Sequence, residues 1–167
     1  EFEKLHSAVP PVPIEELLPE VTLALGRSPF EVFLELEREP FASASIAQVH
    51  RAKLQDGTPV ILKIRRAGIR QKIEADLRIM EQIAALMESE IPDARRYQPV
   101  AIVGHFARSL ERELDLALEA RNIERFGKNF AEDPLIFIPR VYDANTSPVM
   151  NVQEQIIGIP GTDMSAV

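Results

Sequence analysis

Asp56-Gly57, set between two apolar runs, constrains the fold of this chain more than any other feature. Asp-Gly is a strong short-range signal for a β-hairpin. Ile46 and Val49 stand before it and Val60, Ile61 and Ile64 after it, so the stretch from Phe41 to Arg65 reads as antiparallel strands. A lysine, Lys63, interrupts the second of them within V-I-L-K-I. An ammonium flanked by Ile61, Leu62 and Ile64 is costly to bury without an anionic partner, so this strand demands a carboxylate from elsewhere in the chain.

Helical patterns surround the hairpin. Ile14–Leu25 reads as a helix, with Glu15 and Glu16 favoured by the dipole in its first turn and Gly26 placed to end it. Pro29 to about Leu36 reads as a second, short helix with Phe30, Phe33 and Leu34 on one side. Beyond Gly68, apolar residues at Ile69, Ile73, Leu77, Met80, Ile83, Ala84 and Met87 form a stripe that predicts a packed helix. After Pro92, one long helix is expected from about Val100 to Phe126, with Val103, Phe106 and Leu110 on its apolar side. Two strand-like runs, 136–142 and 149–157, close the pattern around a turn-rich loop. Helices, hairpin, helices and hairpin in that order make an α+β domain.

Composition removes several functions. A net charge of -7 argues against a grip on nucleic acid. The absence of Cys excludes disulfides, thiolate zinc sites and a cysteine nucleophile, and permits a reducing cytoplasmic location. His6, His50 and His105 have no metal-ligand spacing, so no metal site is expected within this chain. No apolar run is long enough to span a membrane, and the start, Glu1-Phe2-Glu3-Lys4, lacks signal-peptide layout.

The chemistry lies in a loop, a lysine and an acid. Ala42-Ser43-Ala44-Ser45-Ile46-Ala47-Gln48-Val49 has the spacing of the kinase phosphate loop G-x-G-x-x-G-x-V, with alanine at every glycine position. Alanine keeps the side chain small but disfavours positive φ, so the loop is expected to be stiffer than its glycine counterpart. Lys63 follows where a kinase strand carries V-A-I-K. On the long helix, Glu119 shares a stripe with Leu116 and Ile123 and is the expected partner of Lys63, while Asp115, one turn earlier, would repel it, a repulsion that Lys63 is expected to relieve. Each piece has a plain structural alternative: a small-residue turn, an edge lysine, a solvated acidic face. Their order is that of a kinase small lobe. Gln48 and His50 stand beside the loop with no nucleophile or base to work with, and His50 reads as structural.

Taken together, Pro40 to His50, Val60 to Ile64, and Glu113-Leu114-Asp115 followed by Glu119 and Ala120 resemble the UbiB family of atypical protein-kinase-like proteins over nearly the whole chain. The resemblance implies a kinase-like amino-terminal lobe with a five-stranded antiparallel sheet, a long αC-type helix and additional helices. It divides the chain into extension helices (1–36), the lobe itself (37–157) and the start of an inter-lobe linker (158–167). It implies that Glu113 and Asp115 form the family's E-x-D motif and that Lys63 and Glu119 pair at the catalytic cleft. The alanine loop and Val49 would meet the nucleotide, as would Ile61, Glu154 through its carbonyl and Ile156 through its amide. Ile61 stands where kinases place a small alanine beside adenine, so it decides how much room the base has.

ATP and Mg²⁺ are implied for the full-length protein. The catalytic-loop Asp and Asn and the D-F-G Asp that kinase chemistry needs are not within these residues, so the chain alone is expected to be inactive and to hold no cofactor of its own firmly. The family ties to ubiquinone biosynthesis imply prenyl-lipid or pathway-protein partners and a membrane association of the longer protein. Phe106 and Leu110 could line a lipid groove, though helical spacing points to plain core. Apolar surface at the hinge would promote self-association. The competing function is a kinase-derived scaffold or regulatory module that binds a partner or lipid and handles no nucleotide; an Ile61 that fills the base pocket would favour it.

Overall fold

The computed structural model describes residues 9–159. Most of the expected linker, 158–167, and the first residues of the expected extension lie outside the described residues. A five-stranded antiparallel sheet organises the chain, built from β1 (Phe33–Leu36), β2 (Ala42–Ser43), β3 (Ala47–Leu54), β4 (Pro59–Arg65) and β5 (Met150–Glu154). β1 and β2 lie end to end along one edge of β3, with Leu36 opposite Ala52 and Ala42 opposite Val49. β4 then pairs with β3 on one side and β5 on the other, Lys63 facing Val49 and Asn151.

The β3–β4 turn shows why Asp56-Gly57 is so directive. Leu54 N–H donates to Thr58 O, Gly57 N–H returns to Leu54 O, and Asp56 Oδ1 accepts from Thr58 N–H, all at 2.9 Å. Gly57 sits at φ 84°, a conformation that costs a residue with a Cβ. The turn is a three-residue loop with one left-handed glycine, longer than the two-residue hairpin that Asp-Gly most often makes.

Strand alternation separates two faces of β4. Val60, Leu62 and Ile64 are fully buried in a core with Leu17 and Val21 of α1 (Ile14–Leu25), Phe33, Ala52, Met150 and Val152. Ile61 and Lys63 turn the other way. At about 25 cal/mol per Å², each fully buried side chain of this kind contributes about 1.5–3 kcal/mol, and the core anchors the strand whose other face carries the lysine.

Five expectations change. Phe33–Leu36 is strand rather than helix: only Pro29–Val32 (α2) is helical, and Phe33 is buried while Phe30 and Leu34 are exposed. The run 136–142 contributes a single bridge, Val141 to Gln153, because Pro139 has no N–H for a ladder; β1 completes the count of five instead. The long helix is two, α4 (Pro99–Glu113) and α5 (Leu116–Asn129), broken at Leu114-Asp115. Finally, the stripe of α3 (Ile69–Glu90) buries only Leu77 and Ala84, leaving Met80, Ile83 and Met87 exposed. α3 packs against α4 rather than the sheet, so one helix cannot cover its whole apolar face. On α4 only Val103 is buried, and Phe106 is exposed rather than core.

Candidate functional site

Lys63 reaches across from β4 to the first turn of α5. Its Nζ donates to both carboxylate oxygens of Glu119, at 2.9 Å to Oε1 and 2.7 Å to Oε2. The two side chains are 32% and 37% exposed, open to a ligand yet partly removed from water. They form a wall of a cleft of about 660 Å³, shared with Glu113, Asp115, Asn122 and Phe126.

Glu119 reaches the lysine because of the helix break. Asp115 is the N-cap of α5: its Oδ1 accepts from Ala117 N–H at 3.0 Å and from Leu118 N–H at 3.1 Å, satisfying donors that the helix start leaves free. Its Oδ2 lies 3.5 Å from Arg121. The like-charge repulsion between Asp115 and Glu119 is thus offset on both sides, at Asp115 by the cap bonds and Arg121 and at Glu119 by Lys63. Asp115 stands outside the helix with its charge engaged, and Glu119 is free for Lys63. The break itself is held by Arg65, two residues beyond Lys63, whose guanidinium donates to Leu114 O at 3.0 Å, and by Leu116 N–H donating to Pro148 O at 3.2 Å. Burial pushes the Arg65 pKa below its usual value, with Glu20 opposing that shift.

Ile61, Glu154 and Ile156 meet in a second cleft, of about 360 Å³, lined also by Phe41, Arg51 and Pro139. The Arg51 guanidinium lies 4.3 Å from the centre of the Phe41 ring. Ile61 forms one wall of this open space rather than filling it. Pro139 borders both clefts, which places the lysine–acid pair and the Ile61 wall on neighbouring parts of the same face.

The alanine loop lines neither cleft. Ala42 and Ser43 pair with Val49 and Gln48, and the turn between closes with Ala44 N–H donating to Ala47 O at 2.9 Å. Among the described residues only Gln98 has a positive φ without being glycine, so Ala42, Ala44 and Ala47 adopt ordinary backbone geometry. Next to the loop, Gln48 and His50 are fully buried and spend their polar atoms on structure. Gln48 Oε1 accepts from Val12 N–H at 2.6 Å, its Nε2 donates to Val12 O at 3.1 Å, and the same nitrogen lies 3.4 Å from His50 Nε2. His50 Nδ1 is 3.0 Å from Glu37 O, a carbonyl that can only accept, so Nδ1 carries a proton, while the Gln48 amide nitrogen, which can only donate, faces Nε2 and suits a neutral ring. Burial lowers its pKa, which agrees with that assignment.

Sequence reasoning missed Phe41, Arg51 and Asn151. The first two were detectable, since Phe41 directly precedes the loop. Asn151 was not: it is opposite Lys63 and fully buried, and neither amide atom has a hydrogen-bond partner among the described residues.

The description of an ABC1 atypical kinase-like domain matches residues 4–167. Over all 167 residues the chain is 38% identical to the "Probable protein kinase UbiB" of Pseudomonas aeruginosa (strain LESB58), of which it spans 31%. It is 39% identical to the protein of that name from Cellvibrio japonicus (strain Ueda107), spanning 30% of its length. Among solved structures, the Mycobacterium tuberculosis protein Rv3197, determined in complex with erythromycin, superposes with a TM-score of 0.79 at 32% identity, covering 92% of this chain and 38% of the other. The five-stranded sheet and its helices thus have a close counterpart among solved structures, and the chain spans about a third of the length of its curated relatives.

Proposed function

The chain belongs to the ABC1 atypical kinase-like family, and from that premise we propose that it is the ATP-gripping lobe of a UbiB-like atypical kinase or ATPase. One observation carries this reading: the Lys63–Glu119 ion pair, made by a central strand and a helix N-terminus, on the wall of an open cleft. A strand lysine held by a helix acid is the device that kinases use to seat nucleotide phosphates.

The remaining roles follow from chemistry. Lys63 presents a cation to phosphate oxygens while Glu119 fixes its direction. Phe41 and Ile61 offer apolar surface to a base, and the Glu154 carbonyl and Ile156 amide are the edge that would read it. Among the described residues the Ile156 amide makes no hydrogen bond, leaving a donor available. Bound ATP would supply the transferable phosphoryl group. Mg²⁺ would come with ATP, bridging its phosphates and held chiefly by the catalytic-loop Asn and D-F-G Asp that kinase chemistry uses. No described helix is long and apolar enough to cross a membrane. A role in ubiquinone or related prenyl-lipid metabolism, with membrane association, is proposed for the longer protein from its UbiB kinship. The alternative, a scaffold that handles no nucleotide, would gain from an Ile61 that filled the base pocket, and the open cleft beside Ile61 supports the nucleotide reading instead. Ile156, Ile157 and Ile159 are all more than half exposed, which suits self-association of the isolated chain.

Calorimetric titration with ATP and Mg²⁺ tests the reading. The full-length protein should bind with a Kd in the micromolar range, and the 167-residue chain about 100-fold or more weaker for want of metal-bridged contacts. No binding by the full-length protein would refute it, as would tight, Mg²⁺-dependent binding by the chain alone.

A further inference from the structure

Arg66, the residue after β4, ties the alanine loop to the start of the described chain. Its Nε donates to Ala44 O at 2.9 Å. One terminal nitrogen donates to Ser43 Oγ at 2.7 Å, to Pro10 O at 2.9 Å and, more weakly, to Val9 O at 3.4 Å. Its own backbone N–H donates to Ile46 O at 2.8 Å. Two residues past Pro10, the Val12 peptide is gripped on both sides by Gln48, which stands opposite Ser43 in the β2–β3 pair. The segment 9–12 is therefore a strap laid beside the loop, fastened at one end by Arg66 and at the other by Gln48.

This grip determines where the loop's own donors point. A trans peptide is planar, with its C=O and the following N–H on opposite sides. By holding Ala44 O, Arg66 sets the plane of the Ala44–Ser45 peptide and so directs the Ser45 N–H away from the guanidinium. Among the described residues the Ser45 amide donates to no carbonyl. A backbone N–H free at the tip of a small-residue turn is the kind of donor that phosphate oxygens accept. A glycine loop can find such an orientation through its own backbone freedom, whereas the alanines here remain at ordinary φ and are held from outside.

We propose that Arg66 is a positioning residue of the nucleotide site: it fixes the backbone of the alanine loop, and with it the direction of the Ser45 N–H offered to phosphate, without touching the nucleotide, and the Val9–Val12 strap is part of the same assembly. The inference rests on the nucleotide-binding reading above and adds the residue that sets the phosphate-facing backbone. It also makes the phosphate-binding geometry sensitive to whatever pulls on the chain before Val9.

The test compares three probes, ATP, ADP and adenosine, on the full-length protein and its Arg66→Ala and Arg66→Lys variants. The base-reading edge at Ile61, Glu154 and Ile156 does not involve Arg66, so adenosine affinity should stay within about twofold, while ATP and ADP weaken about tenfold in Arg66→Ala. Lysine, a point charge without the planar fork, cannot serve Ala44 O, Ser43 Oγ and Pro10 O in the same geometry, so Arg66→Lys should lie between. Amide exchange at residues 43–47 should quicken in both variants. Equal weakening of ATP and adenosine would overturn the inference by showing general damage to the fold, and so would unchanged ATP and ADP affinity. Should Arg66→Ala fail to fold, the ATP-to-adenosine ratio in Arg66→Lys decides. If the unsubstituted protein binds none of the three probes, the nucleotide reading itself fails, and this inference with it.

Discussion

Replacing Lys63 by Met and Glu119 by Gln, singly and together, measures the pair on which the proposed site depends. Two unit charges about 4 Å apart attract by about 4 kcal/mol at the effective dielectric of a protein surface region. Both side chains are about a third exposed, so solvent screening and the entropy of fixing two long side chains remove most of that. Two contacts to the same carboxylate, at 2.7 and 2.9 Å, place the pair at the upper end of the range for exposed ion pairs, giving a coupling of about 1 kcal/mol. Urea unfolding of the four proteins, at one pH near neutrality, yields the coupling as the non-additive part of the cycle. In a chain of this size the same energy moves the midpoint of thermal unfolding by about 2–4 °C. Raising salt to about 1 M should shrink the coupling without abolishing it, since the pair is only partly open to water. Additivity within about 0.3 kcal/mol would mean that lysine and acid do not meet in solution, and the cleft would lose its defining contact.

Three further outcomes follow from the same structure. His50 is buried neutral and its pKa lies below the ordinary 6.5, so its contribution is fully present above pH 6.5 and is lost as pH falls toward its folded value; chemical unfolding between about pH 7.5 and 5 should show stability falling in the parent and less steeply in His50→Gln, and parallel profiles would refute the assignment. Asn151→Leu replaces a buried amide whose atoms have no described partners with an apolar side chain of similar size, and should raise stability by about 1 kcal/mol; a loss of that size would show that the amide is satisfied in solution. Asp115→Ala removes the cap of α5 and should cost about 1 kcal/mol by denaturant unfolding, whereas no change would restore the single long helix.

The sheet and its lysine were legible because a turn signal and a period-two pattern both lie within a few residues of each other. The pairing of Lys63 with Glu119, 56 residues apart, was legible through the cost of an unpaired ammonium in an apolar strand together with the order of the loop, lysine and helix acid. What escaped detection was decided by tertiary partners. Leu114 and Leu116 continue the apolar spacing through the helix break, and Asp115 reads equally as a helix-surface acid or as a cap. Phe33-Leu34-Glu35-Leu36 is too short for period alone to separate strand from helix, and the edge of β3 decided it. The α3 stripe announces an apolar face but not what covers it. Arg66 acts mostly on backbone carbonyls, and no residue type in the sequence marks a carbonyl as an acceptor.

Backbone resonances followed during an ATP titration into the 167-residue chain test the central claim most directly, because NMR detects millimolar binding residue by residue. The account predicts saturable shifts at Ser43–Ala47, Lys63, Glu119 and Glu154–Ile156, with Lys63→Met weakening the response of the loop and leaving that of Ile156. Shifts confined to the exposed faces of α3 and α4, or none at these positions at the highest ATP reached, would contradict it.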